Sequence, residues 1–233
     1  MEPELRGNRF LPLEDARVAG WVVPASPSQL ATLGYLMPDG FECYLALPHP
    51  MRAYVNAPIA WSDVAAAAGL EVNRVRRSAV LIAALSDERS IRMRLERQAV
   101  DLTRADAGHL PVEVITELVR VLSPSDANLE TVFAVWDGWG ARTALIEKGA
   151  HFEFGSRGWY LLRAPIRAAV TGFGEGPVSF GLGPGMWWPR DRSWIVVTDI
   201  DLEISYIGCA ASTASALGAS NIECYSVGLD SSL

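Results

Sequence analysis

The sequence predicts an α+β protein with a mostly antiparallel sheet, formed largely by the C-terminal half, and helices packed against it. Helical periodicity is concentrated before residue 125, and strand patterns separated by turn residues follow in quick succession after residue 126. A short strand pattern at 41–47 would lack partners if the two halves folded separately. We therefore expect a single domain over residues 1–233, helix-rich over 1–125 and strand-rich over 126–233.

The composition is that of a globular protein with a sizeable core, since half of the 233 residues are hydrophobic and a fifth are charged. No run of about 18 uncharged apolar residues occurs, and the acidic start lacks the features of a signal peptide. Cys43, Cys209 and Cys224 form no CxxC pair, which favours reduced thiols that pack as small hydrophobic residues. We expect a cytoplasmic protein without a membrane partner.

The N-terminal part of the chain predicts short elements. A strand is expected at 21–23, a helical turn at 28–33, a better strand at 41–47, a surface loop at 53–59 and a short helix from Ser62 to the stop at Gly69.

Residues 87–104 predict an arginine-rich helix. Ile91, Leu95, Ala99 and Leu102 form one apolar stripe, and opposite charges recur four residues apart. The wider segment 74–104 holds eight arginines against four acidic residues. The helix is interpreted as a solvated, salt-bridged face or as a basic face for an anionic partner. The net charge of −7 for the whole chain disfavours nucleic acid as that partner.

The remaining elements are predicted from local patterns. A helix begins after Pro111 and runs over 112–122, with Val114, Ile115, Leu118, Val119 and Leu122 on its buried face. Later elements are expected as strands at 130–136, 151–154, 159–163, 193–205 and 222–227, a turn or short helix at 165–170, a glycine-rich loop at 172–185 and a helix at 210–217. The strands at 151–154 and 159–163 are expected to form a hairpin through the turn Gly155-Ser156-Arg157-Gly158.

The segment 186–203 is the main candidate for a functional site, because it holds three of the eight tryptophans and four carboxylates. If 193–205 is one strand, Asp199, Asp201 and Glu203 share a face, about 7 Å apart along it. Such carboxylates repel one another unless they are solvated, paired with arginine or a partner, or bridged by Mg²⁺ or Ca²⁺. All three interpretations are compatible with the sequence.

Two aromatic motifs accompany these carboxylates. Trp187 and Trp188 are adjacent, and two neighbours cannot both face the core of one regular strand. We expect one of them to be partly exposed in a lid or rim, unless both pack in an irregular loop. Trp136-Asp137-Gly138-Trp139-Gly140 forms a second aromatic and acidic turn.

Several catalytic motifs are missing from the sequence. The glycine-rich loop matches neither GxGxxG nor GK[ST], no HExxH or GxSxG occurs, and the three histidines lie in separate segments. We assign no residue to catalysis, to a metal or to a cofactor.

The block from Trp187 to Asp201, with the Trp136 turn and the Arg157-x-x-Tyr160 strand, resembles an actinobacterial protein family. Relatives in that family carry WWPEDRAWxVATEIDF followed by TYVGG, and this chain keeps the acidic pair as Asp199 and Asp201 but has Cys209 in place of the second glycine. The resemblance is good in the second half and weaker in the first. It implies a shared fold and no particular activity.

The sequence favours a non-catalytic cytoplasmic binding or adaptor protein, of an immunity or regulatory type, which meets another protein through an acidic and aromatic surface. The residues expected on that surface are Trp136, Asp137, Trp139, Trp187, Trp188, Asp191, Arg192, Asp199, Asp201 and Glu203. One alternative is a metal-assisted hydrolase that uses Asp199 and Asp201 with His49 or Glu203. A weaker alternative is nucleic-acid binding through the helix at 87–104.

Overall fold

The computed structural model describes residues 10–23, 31–53, 60–67, 100–105, 107–138, 146–173 and 183–233. The strands are β1 (Leu11–Pro12), β2 (Cys43–Pro48), β3 (Met51–Ala53), β4 (Val100–Ala105), β5 (Glu130–Trp136), β6 (His151–Phe154), β7 (Arg157–Pro165), β8 (Met186–Pro189), β9 (Trp194–Thr198), β10 (Ile204–Cys209) and β11 (Tyr225–Val227). The helices are α1 (Leu33–Leu36), α2 (Trp61–Ala67), α3 (Val112–Leu122) and α4 (Ala211–Gly218). Short 3-10 turns span Ala16–Ala19, Ile146–Lys148 and Ile166–Val170.

Nine of these strands form one antiparallel sheet in the order β1-β7-β5-β8-β9-β10-β2-β11, with β6 also paired to β7. The two other described strands, β3 and β4, pair with each other. The α+β class and the mostly antiparallel sheet are confirmed, and most of its strands come from the second half. The strand predicted at 41–47 is β2, which lies between β10 and β11 and so belongs to the main sheet.

The sheet is covered on both faces, and each face carries its own core. One face packs against α3, α4 and the turn at Ile166–Val170, and its buried side chains include Phe133, Trp187 and Ile207. We call this cluster the helix-side core. The other face packs against the described residues of the N-terminal segment up to Phe41 and includes Trp188 and Tyr206. We call it the N-terminal-side core. Because side chains alternate along a strand, neighbours such as Trp187 and Trp188 enter different cores.

Helix α3 follows the sequence prediction residue for residue. Pro111 precedes it with φ −58°, the value that suits a helix start, and the backbone N–H that proline lacks is not needed there. Ile115, Leu118 and Leu122 are buried, and the predicted Val114 and Val119 pack against the same core. The apolar stripe therefore fixes which side of the helix faces the sheet.

The hairpin of β6 and β7 is confirmed, with a tighter turn than predicted. Its two connecting residues, Gly155 and Ser156, have φ values of 63° and 61°. Positive φ at both positions matches the two-residue turn that best fits the twist of antiparallel strands. Arg157 and Gly158, expected in the turn, therefore pair with Phe154 and Glu153 as part of the ladder.

The predicted long strand at 193–205 is wrong. The chain leaves the sheet after Thr198 and returns at Ile204, so that β9 and β10 form an antiparallel pair with Thr198 opposite Ser205. The Oδ1 atom of Asp199 accepts a 2.9 Å hydrogen bond from the N–H of Asp201, a turn typical of aspartate. The carboxylates of 199–203 therefore do not lie in a row on a strand face.

Other local predictions are also corrected. Residues 21–23 form a turn, in which the N–H of Val22 donates to Ala19 at 2.9 Å, and not a strand. Residues 100–105 form β4, so the helix predicted at 87–104 cannot continue to its expected end, and 87–99 lie outside the described residues. The segment with Trp187 and Trp188, expected as a lid or rim, is the strand β8.

Candidate functional site

Trp187 and Trp188 lie inside the protein and form no part of a binding surface. Each is 1% exposed. The Trp187 ring stacks on Phe133 with centroids 6.2 Å apart, and the Trp188 ring meets Trp21 edge-on at 5.8 Å. The expectation that one of the pair is partly exposed is wrong, because a strand in the middle of a doubly covered sheet has a core on each side.

Asp191 and Arg192 form the turn between β8 and β9. The Oδ1 atom of Asp191 accepts hydrogen bonds from the Ser193 N–H at 3.0 Å and the Ser193 hydroxyl at 2.8 Å. Arg192 adopts a left-handed φ of 59°, and its guanidinium lies 5.4 Å from the Trp21 ring centroid. The five-residue strand β9, roughly 16 Å long, separates this turn from Asp199. The predicted surface is therefore divided between two ends of the sheet.

The acidic loop, residues 199–203, connects β9 to β10. Arg157, at the start of β7, binds two of its carboxylates with one guanidinium. Its Nη1 lies 2.7 Å from Asp199 Oδ2, and its Nη2 lies 2.5 Å from Asp201 Oδ2. The Asp199 side chain is 14% exposed, whereas that of Asp201 is 74% exposed. Arginine pairing, one of the three interpretations of these carboxylates, is the arrangement in the structure.

The acidic loop is also held through its backbone. The N–H of Gly108 donates to the Leu202 carbonyl at 2.9 Å, and the N–H of His49 donates to the Glu203 carbonyl at 3.0 Å. Gly108 has a φ of 69°, and a Cβ there would lie 2.7 Å from Ile200 Cα. Glycine is required at this position because a side chain would be strained at this φ and would collide with the backbone of Ile200. The segment before α3 therefore packs closely against the loop.

Trp136 and Asp137 end β5 at the same end of the sheet as the acidic loop. Asp137 Oδ2 lies 3.0 Å from His151 Nε2, and the His151 ring meets the Tyr160 ring edge-on at 5.1 Å. Trp136 is half-buried and pairs in register with Trp159 on β7. Arg157 precedes Trp159 by two positions and so shares a face with Trp136. Trp139, predicted for the same turn, lies outside the described residues.

A small cavity lies beneath the ion pairs of the acidic loop. Its volume is about 10 Å³, and Arg157, Asp199, Trp159 and Met186 are among the residues that line it. That is about the space of one water molecule. The guanidinium is therefore bordered by packed apolar side chains on its inner side and by solvent at Asp201.

A buried polar chain near the acidic loop is not predicted by any pattern in the sequence. His49 Nε2 lies 2.9 Å from Ser205 Oγ, which lies 2.6 Å from Thr198 Oγ1. All three residues are 2% exposed or less. The indole N–H of Trp61 donates to the His49 carbonyl at 2.6 Å. His49 and Ser205 have no exposed surface, so these hydrogen bonds lie within the core. They connect the ends of β2, β10 and β9.

The geometry assumed for a metal-assisted hydrolase is not present. Asp199 and Asp201 face the guanidinium of Arg157, which takes the position that a bridging cation would need. The Nε2 atom of His49 lies 2.9 Å from Ser205 Oγ within the core. Over the described ranges, no group of three or more His, Cys, Asp or Glu side chains could hold a metal ion.

Arg157 belongs to this site, although the sequence does not mark it as a site residue. Its only sequence signals are its part in the family resemblance and the Gly155-Ser156 turn that aims it at the loop. Its partners lie in the connection between β9 and β10, far from it along the chain. No local pattern connects the two.

The three cysteines carry free thiols. Cys209 is fully buried in the helix-side core, and Cys43 and Cys224 are half-buried against the same cluster. Burial raises the pKa of the Cys209 thiol to about 12, because the thiolate would lose its hydration. This thiol behaves as a small apolar side chain.

No helix in the described part is long and apolar enough to cross a membrane. Comparisons with protein-family models, with curated proteins and with solved structures find no match to this chain.

Proposed function

We propose that the protein is a non-catalytic binding protein that meets another protein through the sheet-end surface. This surface comprises Trp136, Arg157, Asp199 and Asp201 on one side of the sheet end, with Asp137 and His151 on the other side. The observation that carries the proposal is the state of Asp201, whose side chain is 74% exposed and yet fixed by Arg157. Its backbone N–H is also held, by Asp199.

A fixed and exposed carboxylate suits recognition, because little side-chain entropy is lost when a partner binds it. Asp201 accepts from Arg157 through one oxygen, which leaves the other for a donor of the partner. Half-buried Trp136 lies on the same sheet face as Arg157, and aromatic residues next to charged groups are common in interfaces. The surface offers alternating charges, which favour specificity over raw affinity.

We further propose that the protein is cytoplasmic and acts on its partner in an immunity or regulatory role. The three free thiols support a reducing compartment. The net charge of −7 supports a partner with a basic surface. Nucleic-acid binding through residues 87–104 has no such support, because 87–99 lie outside the described residues and 100–105 form β4.

The proposal is tested by affinity capture from a native lysate with the full chain as bait. We expect a stoichiometric partner with the wild type and its loss with Asp201→Arg. The double variant Ser125→Lys/Ala127→Lys changes the net charge by the same amount at exposed positions near the other end of the sheet, and it should retain the partner. The role of this surface would be refuted if the wild type captured no partner, or if Asp201→Arg captured the same partner as the wild type.

Titration calorimetry with Mg²⁺, Mn²⁺ and Ca²⁺ separates this proposal from the hydrolase. We expect no binding heat with the wild type, since the Arg157 guanidinium already occupies the position between the two carboxylates. Saturable heat that disappears in Asp199→Asn would reinstate a cation site.

A further inference from the structure

A second concave surface lies on the helix-covered side of the sheet, apart from the sheet-end surface. A cleft of about 370 Å³ opens between the first turns of α3, the end of β2 and residues 221–223. This volume falls in the range of sites that bind small molecules or single side chains of a partner. The apolar part of its lining consists of Leu47, Ala60, Val114, Ile222 and the prolines Pro48, Pro50 and Pro111.

The polar part of the lining has one sign of charge. Glu113, Glu117 and Glu223 line the cleft, and none of the described residues that line it is basic. Glu223 is already engaged, because its carboxylate accepts hydrogen bonds from the N–H groups of Trp61 at 2.7 Å and Ser62 at 2.6 Å. It therefore supplies negative potential but few remaining acceptor positions.

Glu113 keeps its acceptor capacity, and Glu117 keeps part of it. They are four residues apart on α3, so their side chains are neighbours on one helix face, and like charges at that spacing destabilise a helix. Arg120 binds both oxygens of Glu117, at 2.8 and 2.6 Å, with 65% of its own side chain exposed, and Glu117 also accepts from the backbone N–H of Asn221. Because each carboxylate oxygen can accept two hydrogen bonds, Glu117 has one acceptor position left. Arg120 does not line the cleft. A cation placed between the two glutamates from the cleft would neutralise Glu113 and reduce the repulsion that Arg120 leaves.

We propose that this cleft binds an arginine side chain, together with a neighbouring aliphatic residue, from an extended segment of a partner protein. The guanidinium has the planar donor arrangement to bridge Glu113 and Glu117, which a lysine ammonium lacks. The aliphatic neighbour packs on Val114, Ile222 and the prolines. This site does not depend on the sheet-end surface, and its partner need not be the same protein.

The test is a titration of the ¹⁵N-labelled full chain with acetyl-Leu-Arg-Leu-amide, followed by amide chemical shifts. We expect saturable shifts confined to residues 113–117 and 221–223. The same peptide with citrulline, which keeps the shape of arginine without its charge, should bind at least about tenfold more weakly, as expected for loss of a charge-assisted bidentate contact. Absence of shifts, shifts elsewhere, or equal binding of the citrulline peptide would overturn the proposal.

Variants then assign the binding to the cleft. Glu113→Gln/Glu117→Gln should weaken binding about tenfold or more, whereas Glu153→Gln/Glu147→Gln removes the same charge at exposed positions outside the cleft and should not. Asn221→Trp keeps the charge and fills the cleft from an exposed rim position, so it should also abolish binding. Free arginine that binds as tightly as the peptide would assign the cleft to a small cation and overturn the partner proposal. These peptide titrations do not depend on the sheet-end surface, so the result of partner capture with Asp201→Arg does not change what they show.

Discussion

Arg157 binds Asp199 more deeply than it binds Asp201, although one guanidinium serves both carboxylates. The Asp199 side chain is 14% exposed and that of Asp201 is 74% exposed, so the first ion pair is shielded from solvent and the second is not. Screening by water makes an exposed pair worth little, whereas a hydrogen bond to a largely buried charged group is worth more. One side chain thus combines a structural contact with a contact at the surface.

Double-mutant cycles should show this difference. For Arg157→Ala with Asp199→Asn we expect a coupling energy of about 1–3 kcal/mol, and for Arg157→Ala with Asp201→Asn about 0–1 kcal/mol. Urea denaturation of the four chains in each cycle measures both values. A coupling to Asp201 as large as that to Asp199 would contradict the assigned difference in burial.

Truncation of either tryptophan of β8 should destabilise the protein to a similar degree. Trp187 and Trp188 are each 1% exposed, and deletion of a large buried aromatic side chain costs about 3–5 kcal/mol. We expect Trp187→Ala and Trp188→Ala both to lose stability in this range, measured by thermal and urea unfolding. Trp187→Phe and Trp188→Phe provide the milder pair if either alanine variant fails to fold. A variant that differs from the wild type by less than about 0.5 kcal/mol, the effect typical of an exposed position, would contradict burial of that side chain.

The hydroxyl of Ser205 should contribute to stability through both of its neighbours. Its removal in Ser205→Ala takes one hydrogen-bond partner from His49 and one from Thr198 inside the core. A loss of about 1–3 kcal/mol is expected, because buried polar groups without partners are costly. The double variant with Thr198→Val should lose less than the sum of the two single losses, since it removes one unsatisfied group. Ser226→Ala, at an exposed position of β11, is the control and should change little.

The Cys209 thiol should make stability fall at alkaline pH. Its folded pKa is about 12, raised by burial from an ordinary value of 9.0, so between these values the unfolded chain releases a proton that the folded chain keeps. Unfolding is then favoured as pH rises above 9, and the contribution is fully present below 9. Burial and Glu223 also raise the pKa of Tyr225, which adds a similar decline above pH 10. Cys209→Ala should reduce the slope of unfolding free energy against pH between 9 and 11 without abolishing it. An unchanged slope would contradict the buried thiol.

Local patterns predicted the elements whose boundaries are set by local chemistry. Helix α3 has a proline at its start and an unbroken apolar stripe, and β5 has seven residues of strand propensity followed by Asp137 and Gly138. The β6–β7 hairpin has a glycine in its turn. For these elements the sequence signal and the tertiary contacts agree, so the prediction needed no knowledge of distant segments.

The acidic loop and the tryptophan pair could not be predicted in this way. Residues 199–203 alternate acidic and apolar side chains, which is also the pattern of a half-buried strand, and the loop is selected by Arg157 and Gly108 from other parts of the chain. Trp188 is buried because N-terminal residues such as Trp21 cover the second face of the sheet. Both outcomes depend on contacts between segments that lie far apart along the chain.

The position of β2 between β10 and β11 bears on how the sheet assembles. Among the described strands, β11 pairs only with β2, which lies in the N-terminal part of the chain. Its pairing must therefore wait for closure of a very long loop, and such non-local strand pairing slows folding. Until β2 arrives, β10 presents an open edge of Tyr206, Ile207 and their neighbours, which is a template for pairing with a second chain. Chaperone dependence and concentration-dependent loss on refolding are the behaviour this strand order leads us to expect.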